Sequence, residues 1–257
     1  MHPTIVNIPS SSSVNTLDNY FKPKNNMTTN NSKIRFVCIS DTHGKINFSI
    51  PKGDILIHSG DLTKKSSLDE YLKTIQWLGS LPHRLKIVIA GNHDHALDEC
   101  FGHIEHRQTI LSLMEHHGLI YLEHELFTLP PSLGGYTLFG SPYSPIHLGG
   151  AFMLDDKGMS EIWNDIPSGV DILVTHTPPY GFCDRIMYRQ KQHVGCKYLR
   201  QKIEDVIKPK VSIFGHIHEA HGSVVDKATG RLYINGSLCD YRYRANQTPI
   251  TFDIPKK

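Results

Sequence analysis

The chain has 257 residues, a formal net charge of +2, 39% hydrophobic and 20% charged side chains, the balance of an ordinary globular protein long enough to bury a substantial core. So small a cationic excess excludes a broad basic footprint for long nucleic acid, although a small anionic substrate needs only a local field. The cysteines, Cys38, Cys100, Cys183, Cys196 and Cys239, are odd in number, widely spaced and without a C-x-x-C pair, which speaks against a disulfide framework and against a thiolate zinc site.

Residues 1–32 are rich in Ser, Asn and Thr and read as a flexible or draped leader, with a single domain expected over 33–257. The first residues carry neither a basic leader nor an apolar h-region, and nothing approaches the roughly 18 apolar residues of a membrane span. A cytoplasmic address and no membrane partner are therefore expected.

From there short apolar runs alternate with polar turns. IRFVCIS (34–40) leads into Asp41 and His43, and DILIHSG (54–60) into Asp61. SSLDEYLKTIQWLGSLP follows as a helix, with Leu68, Tyr71, Leu72, Ile75 and Leu78 on one face, Ser66 or Ser67 as the cap and Pro82 beyond its end. LKIVIAG (85–91) leads into Asn92, His93 and Asp94, and a weaker helical pattern covers about 104–117. YTLFGS (136–141) and DILVTH (171–176) follow, the latter delivering His176 before two prolines. A helix over about 195–207 would turn Leu199, Ile203 and Val206 inward, and VSIFGH (211–216) delivers His216 and then His218. GSVVDKATGRLYINGS reads as a hairpin and TPITFDIP as an edge strand. Strands alternating with helices, then hairpins, imply an α/β fold with a mixed sheet.

Histidine is abundant, 17 in all, so one H-x-H pair is expected by chance, and a histidine taken alone is more often a satisfied core or surface imidazole than a ligand. Five separate strand ends that each deliver carboxylate, imidazole or amide to a ligand-binding sheet edge are a different matter. Asp41 with His43, and His216 with His218, stand two apart, so extended backbone would turn each pair to one side. Asp61 has two oxygens with which to bridge neighbouring cations, and Asn92 offers a neutral carbonyl oxygen. A mixed N and O set without thiolate suits Mn, Fe, Zn or Ni, and a pair of such ions suits hydrolysis of phosphate esters. Tyr143, Tyr180, Arg185 and Arg189 lie in loops after strands and are candidates for substrate contact. His221 is expected at the surface or behind the ligands, and Asp94 to orient His95 or a backbone amide.

The series D-x-H, G-D, G-N-H-D, H and G-H-x-H, complete and in order from Asp41 to His218, resembles the calcineurin-like metallophosphoesterases. ILIHSGDLT, VIAGNHD, GVDILVTHTPPYGF and FGHIHEAHG look like the eukaryotic metallophosphoesterase-domain (fetal-brain protein) subfamily, some of whose members carry Gly where this chain has His216. The resemblance implies a four-layer α/β/β/α sandwich of two mixed sheets. It implies two metal ions, Mn favoured, one held by Asp41, His43, Asp61 and His218, the other by Asp61, Asn92, His176 and His216. A metal-bridging hydroxide would then attack a small phosphodiester, a cyclic nucleotide for instance, with Asn92 stabilising charge and His93 assisting the leaving oxygen. A broad phosphomonoesterase, or a weakly active scaffold of the same fold with unidentified protein partners, is the alternative. Protein phosphatases of the superfamily place an acid where this chain has Lys64 and read GNHE where it reads GNHD, which argues against that role.

Overall fold

A computed structural model describes residues 4–6, 32–187 and 192–257. Two six-stranded sheets form its centre. In the first, β1 (Thr4–Val6), β14 (Ile250–Pro255), β2 (Lys33–Ile39), β3 (Ile55–Ser59), β4 (Leu85–Ile89) and β5 (Ile120–Tyr121) lie side by side in that order. In the second the order is β12 (Gly222–Val225), β13 (Leu232–Asn235), β11 (Val211–Phe214), β10 (Ile172–Thr175), β7 (Thr137–Ser141) and β6 (Glu125–Thr128). A two-stranded pair, β8 (Ser144–Pro145) with β9 (Met153–Leu154), stands apart. β2 to β5 run parallel, as do β7, β10, β11 and β13.

The period-2 alternation of the strands explains why there are four layers. Ile34, Phe36 and Cys38 of β2 face the second sheet and pack with Ile172, Val174, Val211 and Ile213. Val37 and Ile39, pointing the other way, meet Tyr71, Ile75 and Leu78 of helix α1 (Leu68–Ser80) and Ile110 and Met114 of α2 (Ile104–His116). On the far side Leu173, Phe214 and Tyr233 meet Met159 of α3 (Asp156–Ile162), Trp163, and Leu199 of α4 (Lys197–Lys202). Strands buried on both faces must be apolar throughout, hence their continuous apolar runs.

Three local expectations change. α1 is capped by Ser67, whose hydroxyl accepts from the Glu70 amide in a capping box, but it buries Tyr71, Thr74, Ile75 and Leu78, while Leu68 and Leu72 stand at the margin of the buried stripe, each 37% exposed. α4 continues into a π turn over Ile203–Ile207. The wider turn shifts the inward position by one, so Ile207 is buried and Val206 is 39% exposed. TPITFDIP is not an edge strand: β14 pairs antiparallel with β2 and, on its other side, parallel with β1. The rest of the expected leader lies outside the described residues. All five cysteines are free, and among the described residues no helix is long and apolar enough to cross a membrane.

Candidate metal centre

The five strand ends do not belong to one sheet. β2, β3 and β4 of the first sheet deliver Asp41, His43, Asp61, Asn92 and His93; β10 and β11 of the second deliver His176, His216 and His218. The site therefore sits where the carboxyl ends of two stacked sheets meet. Nor do the pairs converge by extended backbone. Asp41, His43, Asp61 and His216 all have left-handed φ, between 48° and 68°, a conformation costing a non-glycine residue about 1–3 kcal/mol that persists only where the surroundings over-determine it. Hydrogen bonds do so here: Asp41 N donates to Gly60 O at 2.9 Å, His43 N to Asp61 O at 3.1 Å, and His216 N to Asp41 Oδ2 at 3.0 Å.

Asp41, His43, Asp61 and His218, all buried, each bring a ligand atom to within 4.8 Å of the others, so a modest contraction would place all four about 2.1 Å from a shared ion. A second group adjoins it: His176 Nε2 is 3.0 Å from Asn92 Oδ1 and 3.6 Å from Asp61 Oδ1, and His216 Nδ1 is 2.9 Å from Asn92 Oδ1. Asp61 links the two, its Oδ2 lying 3.7 Å from His43 Nε2 while Oδ1 faces His176.

Tautomers test whether these donors fit a metal. The Nδ1 atoms of His43, His176 and His218 face the backbone oxygens of Thr63, Ser59 and Asp240 at 3.2, 2.9 and 2.9 Å. A carbonyl can only accept, so each Nδ1 carries the proton and, in a neutral ring, Nε2 is left as a lone pair. Those lone pairs point at other acceptors: His43 Nε2 and His218 Nε2 are 3.2 Å apart, and His176 Nε2 faces the Asn92 oxygen. Either a metal ion or a proton shared among these groups offsets such crowding, and the lone pairs already converge as metal donors do. The donors therefore fit divalent metal.

Electrostatics agree. Burial alone would raise Asp41, but His218, His176 and His43 outweigh it and hold the carboxyl well below the usual range. Burial and the neighbouring Asp41 together push Asp61 well above it. Burial opposes charge on His218, yet Asp41 overcomes this and raises it to about 9. His43 and His216 are driven well below the ordinary imidazole value, burial being the main cause. Without metal, a proton on His218 balances the carboxylates.

Two glycines make the approach possible. A Cβ at Gly215 would stand 2.1 Å from Asp41 Oδ2 and from Ser40 Oγ, and one at Gly91 2.3 Å from Asp61 Oδ1. The G of G-H-x-H and of G-N-H is thus the space in which a carboxylate sits. Asp94 accepts from the amides of Gly91, Leu62 and Thr63 at 2.9, 3.1 and 3.0 Å and from the Thr63 hydroxyl at 2.8 Å, tying two ligand loops together. It serves backbone amides rather than His95.

His93 donates its amide to Asp61 Oδ1 at 2.8 Å and turns its ring to a cleft of about 430 Å³ walled by His147, Leu148, Ile186, Tyr241 and Tyr243. The other loop candidates stand elsewhere. Tyr143 is half-buried with its ring 5.5 Å from His124 and 6.0 Å from Phe152. Arg185 donates to His193 at 2.9 Å, and Tyr180 lines a separate cleft beneath Lys197. Arg189 lies outside the described residues. His221 is half-buried against the backbone of Asn235 and Ser237 and is not part of the clustered Asp and His group. The peptides before Pro178 and Pro179 are trans. Ser237, which donates to Asp41 Oδ2 at 2.9 Å, and Tyr243 were not legible in advance, since a lone hydroxyl after a hairpin carries no spacing signal.

Residues 34–220 match the family model of calcineurin-like phosphoesterase. The human metallophosphoesterase domain-containing protein 1 is 38% identical over 240 residues, an alignment spanning 86% of this chain and 71% of that protein. A relative from Caenorhabditis elegans is 37% identical over 232 residues, 87% of this chain and 82% of its own. Among solved structures, the phosphopantetheinyl hydrolase of Mycobacterium tuberculosis superposes with a TM-score of 0.55 at 14% identity, over 82% of this chain and 92% of that one, a likeness of fold. The chain belongs to the calcineurin-like phosphoesterase family, a class whose fold and clustered Asp and His residues suit divalent metal and hydrolysis of phosphoric esters. Within it the similarity lies with the metallophosphoesterase domain-containing proteins.

Proposed function

We propose that the protein is a dinuclear metal-dependent phosphodiesterase for small phosphodiesters, cyclic nucleotides among them. Asp41, His43, Asp61 and His218 would hold one ion, and Asp61, Asn92, His176 and His216 the other, Mn being the favoured metal. The observation that carries the reading is Asp61, with one oxygen toward His43 and the other toward His176. When bound, a metal pair supplies an activated water and neutralises charge on the phosphoryl oxygens.

The protein's own groups do the rest. The His93 amide holds Asp61 in its bridging orientation, and Nδ1 of that ring donates to the Lys64 carbonyl at 3.1 Å. Nε2 is thereby left to face the cleft, where it can pass a proton to the leaving oxygen. The Asn92 carboxamide sits between His176 and His216, from where it would help stabilise charge on the phosphoryl oxygens. A diester is favoured over a monoester because Lys64 stands where the phosphatases have an acid, and because the cleft has apolar walls, Leu148 and Ile186, for groups beyond the phosphate. The net charge of +2 supports small substrates over long nucleic acid, and five free cysteines support a cytoplasmic address.

The test strips the protein of metal, restores Mn, Zn, Fe or Ni singly, and compares a chromogenic diester, its monoester and 2′,3′- and 3′,5′-cyclic nucleotides. We expect Mn-dependent diesterase activity that falls about 10² to 10⁴-fold in His93→Asn with metal content unchanged. Faster turnover of the monoester would replace the reading with a phosphomonoesterase. Equal rates for wild type and variant on every substrate would leave a scaffold.

A further inference from the structure

We propose that Tyr243 is a positioning residue for His93, its hydroxyl standing beside Nε2 to donate to the lone pair that proton transfer to the leaving oxygen exposes. The inference rests on the role just given to His93.

The segment that presents Tyr243 is built with care. Tyr243 has φ 59°, a left-handed backbone that a bulky aromatic adopts only under constraint. The constraint is Asp240. Its carbonyl accepts from the Tyr243 amide at 2.7 Å, Oδ1 from the amides of Arg242 and Arg244 at 2.9 Å each, and Oδ2 from Arg244 Nε at 2.7 Å and Asn246 Nδ2 at 2.9 Å. The same carbonyl orients His218 through Nδ1. One residue thus ties a metal ligand to the tip of the loop.

What that tip meets is His93. The Tyr243 ring lies edge-on to the His93 ring at 6.0 Å, with its hydroxyl 3.5 Å from Nε2, and Lys64 Nζ sits 4.3 Å above its face. His93 is therefore held at Nδ1 by the Lys64 carbonyl and approached at Nε2 by the Tyr243 hydroxyl. During reaction a hydroxide oxygen bonds to phosphorus, the electron pair of the breaking P–O ester bond passes to the leaving oxygen, and that oxygen takes the Nε2 proton. The ring is left neutral, Nδ1–H still on Lys64 O, with a lone pair on Nε2. A closure of roughly 0.5 Å gives the Tyr243 hydroxyl an ordinary hydrogen bond to it.

The variant must keep the ring, which also packs edge-on against His43 at 4.8 Å and His218 at 5.5 Å. Tyr243→Phe does so. Mn-loaded wild type and variant are compared on methyl aryl phosphates whose leaving phenols run from 4-nitrophenol, which departs without a proton, to phenol, which needs one. Metal content and KM should match. The variant's kcat should fall about tenfold on the phenyl ester and less than about threefold on the 4-nitrophenyl ester. In spectra of ¹⁵N-histidine protein loaded with diamagnetic Zn, the His93 ring signals should move while those of His43 and His218 stay. A uniform loss across the series, or none, with unmoved His93 signals, overturns the proposal. If wild type cleaves only the corresponding aryl monoesters, the diester reading fails and the same comparison on monoesters decides Tyr243. A wild type inert on both series overturns both.

Discussion

Asp41, His43, Asp61 and His216 each adopt a left-handed backbone, held by hydrogen bonds, that turns their side chains toward one centre. Their neighbours leave little room. Gly215→Ala forces a methyl onto the Asp41 carboxylate, and should abolish binding at the His43 and His218 group while the protein still folds; metal analysis giving wild-type stoichiometry would contradict this. His216→Gly removes one donor of the second group and should lower metal content toward one ion per chain, with activity falling alongside. Equal content and equal rate in the two proteins would show that His216 contributes nothing. That these residues come together was legible in sequence because metal-donor chemistry restricts the candidates to few residue types. Their tautomers were not, because each is set by a carbonyl 20 or more residues away in the chain.

At the scale of the element, local signals were accurate wherever they depended on neighbours in sequence. The Ser67 and Glu70 capping box is one case: Ser67→Ala should cost about 1 kcal/mol in denaturant unfolding, and no change would mean that tertiary packing alone holds α1. Leu78, fully buried against the first sheet, should cost about 2–5 kcal/mol as Leu78→Ala. The signals failed where a tertiary demand won. Periodicity of 3.6 puts Val206 inward, but the π turn over Ile203–Ile207 widens the helix by a residue and buries Ile207 instead. β14 reads as an edge strand because its second neighbour, Thr4–Val6, is more than 240 residues distant in sequence.

For the whole molecule, two sheets share one core and one site, so metal and fold are linked. Adding Mn to the stripped protein at 100 times its dissociation constant should contribute about 2.7 kcal/mol, roughly 5–10 °C in Tm for a chain of this size; identical melting with and without chelator would refute a structural contribution. A second link lies at the opposite end of the sheets. Asp171, before β10, accepts from the Lys210 ammonium, from Lys257 Nζ at 2.6 Å and from the Thr137 amide at 2.9 Å, joining three strands to the last residue. Burial alone would raise its carboxyl, but the two lysines and Thr137 bring it below the ordinary value. A depressed carboxyl stabilises fully above the unfolded pKa of about 3.9 and loses that contribution as pH falls through the folded value. Asp171→Asn should therefore melt lower than wild type at pH 7, with the gap closing as pH drops below about 4. A gap independent of pH would assign the loss to packing.

By itself the sequence determined the runs that become strands, the order of the motifs and the donor types of the site, since apolar periodicity and ligand chemistry are written residue by residue. Tertiary structure decided that the strand ends come from two sheets rather than one edge, that left-handed turns and not extended backbone aim the ligands, and that Tyr243 reaches His93. Those facts depend on which distant segments pack together. Packing is settled by the burial of the whole chain, and no local pattern carries it.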